Sequence, residues 1–285
     1  METSPTARKL AGRFVAGNTL QDAIAACQKI HSDGLGITLD YLGENVSSLE
    51  EAAQSRDNCL RTLAALQTAG LEPNISVKLT QFGLDLSEQA CEANVAPVVE
   101  AAAQIGGFVR FDMESSEYTD RTIDMTMRLH ARYGACGTVI QSYLYRSAAD
   151  IERLSSSQIR IRLCKGAYLE SPEVAFPEKA KVDANYLALA ESLLDHGTYP
   201  GMATHDEKMI AGVKSFVAAN KIPRDRFEFQ MLYGIRRDLQ RQLIAEGFRV
   251  RLYVPYGDAW YPYFMRRLAE RPANVFFIAR NMFRN

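Results

Sequence analysis

Short runs of β-branched and aromatic residues alternate along the chain with longer segments whose apolar positions recur every three to four residues. The first pattern is that of a strand, the second that of an amphipathic helix. Eight strand-like runs occur: GLGITLD from Gly34, NISVKL from Asn74, FVRFDME from Phe108, TVIQSYL from Thr138, IRIRLCKG from Ile159, GMATHD from Gly201, FEFQML from Phe227 and VRLYVPYG from Val250. The intervening segments, such as Ser48–Ala69 and Ser87–Ala103, are rich in Ala, Leu, Glu and Gln and long enough for one or two helices each. Strands alternating with helices predict a parallel sheet, and eight of them predict a closed (βα)8 TIM-like barrel. An open doubly wound sheet is the alternative. No long Gly-, Ser- or Pro-rich linker breaks the series, so residues 1–285 read as a single domain, with 1–33 as a helical N-terminal extension.

Along each run the charged and hydrogen-bonding residues gather at the C-terminal end. They are Asp40 and Glu44 after the first, Lys78 in the second, Asp112 and Glu114 in the third, and Gln141 in the fourth. The fifth carries Arg162 and Lys165, the sixth Thr204 and His205, the seventh Gln230, and the eighth Tyr253 and Tyr256. In a barrel enzyme that rim is where the active site is assembled. One such residue is explained by a satisfied internal ion pair. Polar groups on all eight rims are not, because burying charge is costly.

Composition narrows the partners. With 47% hydrophobic and 24% charged residues the chain has the makeup of a globular protein, and a formal net charge of −1 offers no basic field for nucleic acid. The five cysteines are widely spaced with no CxxC pair, which indicates neither a zinc site nor a disulfide framework and fits a reducing compartment. The N-terminus lacks the apolar stretch of a secretory signal, and no segment approaches the roughly 20 apolar residues of a membrane helix. The expected location is cytoplasmic, and peripheral contact with an inner membrane is compatible with it.

GLGITL begins like a dinucleotide fingerprint, but Leu39 stands where the third Gly is required. The histidines form no HExxH and no i,i+4 pair, so no metal site is expected. His31, His130 and His196 read as solvated, whereas His205 ends a strand in ATHD and reads as a ligand contact. In RLCKGAYLE (Arg162–Glu170) two cations flank a strand end, and Gly166 and Ala167 leave the main chain open to a planar or anionic ligand. Alternation turns Arg162 inward together with Arg160. The segment AWYPYFMRRLAERP (Ala259–Pro272) reads as a helix with Trp260, Phe264 and Leu268 on one apolar stripe. Tyr263, Arg266, Arg267 and Glu270 fall within an arc of about 100° beside that stripe. Two adjacent guanidinium groups there suit a carboxylate. The alternative is a solvated helix with an i,i+4 Arg–Glu pair worth about 0.2–0.5 kcal/mol.

Taken together these residues resemble the proline dehydrogenase family in its monofunctional bacterial form. The resemblance runs from LDYLGE (Leu39–Glu44) to RRLAERPAN (Arg266–Asn274). It is carried by SVKLT at Ser76, FDMES at Phe111, VIQSYL at Val139, RLCKGAY at Arg162, ATHD at Ala203, EFQMLYG at Glu228 and RLYVPYG at Arg251. Cys164 stands where Val is usual in the family, and Asp206 where Asn is common; neither departure is expected to touch a functional role. The resemblance implies a distorted barrel with non-covalent FAD at its C-terminal mouth. It also implies oxidation of L-proline to 1-pyrroline-5-carboxylate by hydride transfer to the flavin N5, with electrons passed to a quinone. On the same basis Lys78, Asp112, Tyr253, Tyr263, Arg266, Arg267 and Glu270 are the substrate set, with Lys78, Asp112 and Arg162 catalytic. Met113, Gln141, Arg162, Lys165, Gly166, Ala167, Thr204, His205 and Gln230 are the cofactor set, and Glu44 is a gate residue that pairs with Arg266. Lys78 and Asp112, on neighbouring strands, are expected to pair. The bifunctional relatives carry an aldehyde dehydrogenase module for which this chain is too short, so a separate pyrroline-5-carboxylate dehydrogenase is expected to take the product.

Two other classes fit parts of the pattern. A Schiff-base aldolase would use Lys78 or Lys165 but leaves the double-arginine helix unexplained. A non-catalytic barrel would bind an amino acid without changing it.

Overall fold

A computed structural model describes residues 12–43 and 45–260. Its strands are β1 (Gly36–Tyr41), β2 (Asn74–Val77), β3 (Phe108–Phe111), β4 (Cys136–Gln141), β5 (Arg160–Cys164), β6 (Gly201–Ala203), β7 (Glu228–Leu232) and β8 (Val250–Tyr256). They pair in parallel, in chain order, around a closed barrel. The ring is sealed by β8 against β1, from Gly36 opposite Arg251 to Tyr41 opposite Tyr256. Closure rules out the open sheet. Several strands stop short of their apolar runs: β2 ends at Val77 and β6 at Ala203. Beyond those points the chain turns at the rim, as in the 3-10 turn Leu79–Phe82 after β2.

The helices are α1 (Leu20–Ser32), α2 (Leu49–Thr68), α3 (Glu88–Gln104), α4 (Thr119–Tyr133), α5 (Ser147–Ser156), α6 (Lys179–His196), α7 (Glu207–Ala219) and α8 (Arg237–Ala245). Their starts are written locally. Ser48 and Ser87 cap α2 and α3 through their side chains, and Thr19 with Asp22 forms a capping box on α1. Helix α1 precedes the barrel repeat yet belongs to its wall. Ala23, Cys27 and Ile30 form its buried stripe, packed on β1 and β8. It therefore covers the seam where the ring closes.

The outward faces of the strands and the inner stripes of the helices make the core. Ile37, Leu39, Val109, Phe111, Ile161, Leu163, Phe229, Leu252 and Val254 are all buried there. The inward faces are polar. Thr38, Asn74, Ser76, Arg110, Arg162, Glu228, Gln230 and Arg251 are buried at alternate positions of their strands. Most (βα)8 barrels fill this space with Val, Ile and Leu. Here it is filled by guanidinium groups and their partners, and glycine on the facing strands makes the room. A Cβ on Gly137 would lie 2.2 Å from the Arg160 carbonyl oxygen and 3.2 Å from Arg110 Nη1; one on Gly201 would lie 2.5 Å from Gln230 Nε2.

Three expectations need correction. Arg160 shares the inward parity of Arg162 but lies at the N-terminal end of β5, where it is exposed and stacks over Phe108 and Tyr199. Tyr256 is not at the mouth: its odd step along β8 turns it outward to Thr62 on α2, at 2.6 Å between hydroxyls. His130 is half-buried, with Nδ1 2.9 Å from the Cys136 carbonyl oxygen rather than in solvent.

Because α1 seals the ring, Ile30→Ala is expected to cost about 2–5 kcal/mol in urea unfolding, as for other buried Ile truncations. A change below about 0.5 kcal/mol would mean that α1 is an appendage.

Candidate active site

Arg162 projects from β5 into the barrel and crosses it. Its Nη1 donates to Asp112 Oδ1 on β3 at 2.7 Å, its Nη2 to Ser76 Oγ on β2 at 3.1 Å, and its Nε to Gln230 Oε1 on β7 at 2.5 Å. The Tyr253 ring of β8 lies 5.3 Å from the guanidinium carbon, and the Tyr253 hydroxyl donates to Asp112 Oδ2 at 2.7 Å. One cation thus ties five strands together, and Asp112 accepts at both oxygens. The side chains of the Arg162–Asp112 pair are only 8% and 12% exposed, so the pair is little screened by water.

The expected pairing of Lys78 with Asp112 gives way to this arrangement. Lys78 Nζ lies 3.7 Å from Asp40 Oδ2 instead. The forked Arg162 side chain reaches the Asp112 carboxylate from β5 and takes it.

On the next wall Lys165 is gripped by two carboxylates, Asp183 Oδ1 of α6 at 2.5 Å and Asp206 Oδ2 at 2.7 Å. Partial burial opposes the charge of both aspartates. Hydrogen bonds from Lys165, with Lys179 added at Asp183 and the Lys208 amide at Asp206, hold their carboxyls below the usual range all the same. Asp206 also caps α7 by accepting from Lys208 N. The departure from Asn at this position therefore does touch a site residue, through a second carboxylate on Lys165.

The turn after β5 needs its glycine. Gly166 has φ +110, and a Cβ there would lie 2.3 Å from the Tyr143 ring. Gln141 donates through Nε2 to the Met113 and Glu114 carbonyls, both at 3.3 Å. Its Oε1 is buried with no hydrogen-bond partner among the described residues. His205 Nε2 accepts from Leu232 N at 2.9 Å, which places the proton of the neutral ring on Nδ1. Thr204 Oγ1 accepts from Asp206 N at 3.1 Å and so shapes the turn into α7.

A cavity of about 260 Å³ opens at the C-terminal mouth. Lys78, Asp112, Met113, Gln141, Arg162, Lys165, Gly166, Ala167, Thr204, His205, Gln230 and Tyr253 all face it. Glu44, Tyr263, Arg266, Arg267 and Glu270 lie outside the described residues. Sequence reasoning missed Ser76, Asp183, Tyr168 and Leu232. Ser76 was within reach, since it shares the inward parity of Lys78; nothing local marks Asp183, which comes from the next helix. Glu114, expected at the rim, is tied to Thr80 through its amide and hydroxyl and braces the loop after β2.

The family model for proline dehydrogenase matches residues 23–280. The chain is 45% identical over 278 residues to the proline dehydrogenase of Deinococcus radiodurans, covering 96% of this chain and 90% of the relative. It is 42% identical over 272 residues to proline dehydrogenase 1 of Bacillus subtilis, covering 95% and 90%. Among solved structures, proline utilization A from Bdellovibrio bacteriovorus, inactivated by N-propargylglycine, matches with a TM-score of 0.86 at 26% identity over 92% of this chain. The chain spans about a third of that structure's length, 32%.

The cavity also sets thiol reactivity. Burial pushes Cys27, Cys59, Cys91 and Cys136 up to about 12, whereas Cys164 is half-buried and lines the cavity. A disulfide reagent near neutral pH is expected to titrate one thiol in the native protein and all five in denaturant. Several fast native thiols, or a fast thiol that survives in Cys164→Val, would contradict this burial pattern.

Proposed function

The chain belongs to the proline dehydrogenase family, and from that we propose that it oxidises L-proline to 1-pyrroline-5-carboxylate with a non-covalent FAD at the barrel mouth, passing the electrons to a quinone. The observation that carries this reading is the Oε1 of Gln141, unpartnered among the described residues, on the wall of a cavity that the Arg162 side chain also lines. A buried acceptor with no donor is costly, and the imide N–H of a flavin ring is a donor of the right kind. The bare backbone at Gly166 and Ala167 and the polar groups of Thr204 and His205 fit the rest of such a ligand, with Met113, Lys165 and Gln230 completing the cofactor set. The flavin, when bound, supplies the hydride acceptor.

The protein's own residues do the remaining work. With a flavin bound, the Arg162 guanidinium would stabilise negative charge developing on the acceptor, from a position already fixed by three hydrogen bonds. Asp112 holds Arg162 and the Tyr253 hydroxyl together, so ring and cation form one rigid surface. Lys78, held near Asp40, adds positive potential on the substrate side. Tyr253 and Tyr263 cover the proline ring and exclude water. By the family resemblance, Arg266 and Arg267, with Glu270 in the same set, are assigned to its carboxylate, and Glu44 to the gate. No helix among the described residues is long and apolar enough to cross a membrane. The proposed quinone acceptor is lipid-soluble, and the proposed product is a substrate for a pyrroline-5-carboxylate dehydrogenase.

The Schiff-base alternative loses ground on the same geometry. Lys78 faces Asp40, and Lys165 is held by Asp183 and Asp206. An ammonium held by carboxylates has no lone pair to offer a carbonyl.

Purified protein is expected to show an oxidised flavin spectrum that anaerobic proline bleaches without added nicotinamide. A protein that stays colourless and inactive after FAD is supplied sinks the cofactor assignment. The arginine pair is tested with tetrahydrofuran-2-carboxylate, which keeps the ring and carboxylate but not the amine. Its Kd is expected to rise in Arg266→Met and Arg267→Met by the equivalent of about 2–5 kcal/mol, with FAD retained and Arg271→Met unaffected. Equal effects from all three substitutions would mean a general loss of positive potential, and the carboxylate fork would have to be abandoned.

A further inference from the structure

Gln230 stands between two charged groups that dictate which way its amide points. Its Nε2 donates to Glu228 Oε1 at 2.6 Å, and its Oε1 accepts from Arg162 Nε at 2.5 Å. A carboxylate only accepts and a guanidinium only donates. The flipped amide would set acceptor against acceptor and donor against donor, so one orientation is imposed from both sides.

Glu228 lies one inward step below Gln230 on β7, 4% exposed and outside the residues that line the cavity. It also accepts from Arg251 Nε at 2.7 Å and from the Tyr199 hydroxyl at 3.2 Å. Burial works against its charge. The Arg251 charge and hydrogen bond, with Gln230 and the Arg110 charge, nevertheless hold its carboxyl below the usual range. It is a carboxylate under the conditions of function and cannot donate.

We propose that Glu228 is a positioning residue for the oxidation: through the locked amide of Gln230 it fixes the Arg162 guanidinium in the barrel mouth. The inference rests on the proposed place of Arg162 beside the flavin. The locked amide leaves Arg162 Nε one acceptor and so orients the fork, whose Nη atoms then meet Asp112 and Ser76 at 2.7 and 3.1 Å. Gln230 also lines the cavity, and in this role it acts through Arg162.

A purely structural role for Glu228, as counter-ion of Arg251, is the competing account. Arg251 has a second partner, Glu72, at 3.0 and 3.3 Å, whose side chain is 48% exposed and which does not touch Gln230. Glu72→Gln therefore weakens Arg251 without unlocking the amide. Gln230→Met does the reverse, removing the relay and leaving the Glu228–Arg251 pair intact.

The test uses the flavin-loaded protein and sulfite, an anion that adds reversibly at N5 and whose affinity reports positive charge beside that atom. In Glu228→Gln the sulfite Kd is expected to rise about tenfold and kcat to fall by a similar factor, with KM for proline within about twofold. Gln230→Met is expected to do the same, and it carries the test if Glu228→Gln does not fold. Glu72→Gln is expected to change neither quantity. Unchanged sulfite affinity in folded Glu228→Gln or Gln230→Met, while Arg162→Met raises the Kd, overturns the relay alone. Glu72→Gln matching Glu228→Gln also overturns it, in favour of the counter-ion role. If Arg162→Met leaves sulfite binding untouched, the placement of Arg162 beside the flavin fails, and the relay falls with it.

Discussion

The ion pair between Arg162 and Asp112 spans the barrel interior at 2.7 Å, and the polar half of the structure is arranged around it. A guanidinium taken out of water must find acceptors for its N–H groups and a charge to offset its own. Arg162 finds them on β2, β3 and β7, with the Tyr253 ring of β8 over it. Leaving one partner of such a pair behind typically costs about 3–5 kcal/mol, against about 0.2–1 kcal/mol for a surface pair. The strands that carry these partners are therefore held to one stagger. A slip of one residue would turn every inward polar group out into the helix layer and bring Phe229 or Leu163 into the mouth.

The same constraint propagates downward. Below Arg162 the interior holds Arg110, Arg251 and Glu228, three charged groups with one carboxylate among them. Arg251 is balanced by Glu228 and by Glu72 at the barrel's lower edge. Arg110 is satisfied by carbonyl oxygens, those of Thr138 at 3.1 Å and Arg160 at 2.6 Å. Burial, together with the charge of Arg162 above it, drives its guanidinium well below the ordinary value. Such a stack is tolerable only because β4 and β6 contribute glycines at the facing positions, where any Cβ would meet a carbonyl or an amide. Glycine, usually a weakness in a strand, here makes the space that the arginines occupy.

Much of this was legible from the sequence, and what was not shares one cause. Alternation along a strand is local, so the run IRIRLC announces that Arg162 points opposite to Leu163. The gathering of polar residues at strand ends announces the mouth, and the Gly in RLCKGAY announces a turn that no other residue fits. Partners across the barrel are not local. Whether Asp112 meets Lys78 or Arg162 depends on the width of the barrel and the stagger of β2, β3 and β5, none of which is written in any one segment. Asp183 reaches Lys165 from a helix that the strand pattern does not place. Tyr256 follows the rim pattern by position but has the outward parity of Val254, and reading the parity would have sent it to α2. Glu44 and the double-arginine segment carry the gate and carboxylate assignments on family resemblance alone.

Two of the ion-pair systems at the mouth bear on how binding and redox work are kept apart on the proposed reading. Arg162 is offset by Asp112, and Lys165 with Lys179 is offset by Asp183 with Asp206. In this chain Asp206 completes the second balance, where an Asn would leave one cation in excess. Neither system needs an anionic ligand to be stable. What the cavity offers is short-range and directional: N–H groups fixed in place before the reaction, which stabilise charge where it develops. Holding the substrate carboxylate then requires cations that are not already spent, and on the proposed reading these are Arg266 and Arg267, beyond the last strand. On that reading Arg162 serves the transition state and a separate pair of cations serves binding. That division lets the substrate carboxylate be gripped without shifting the charge that faces the reacting carbon.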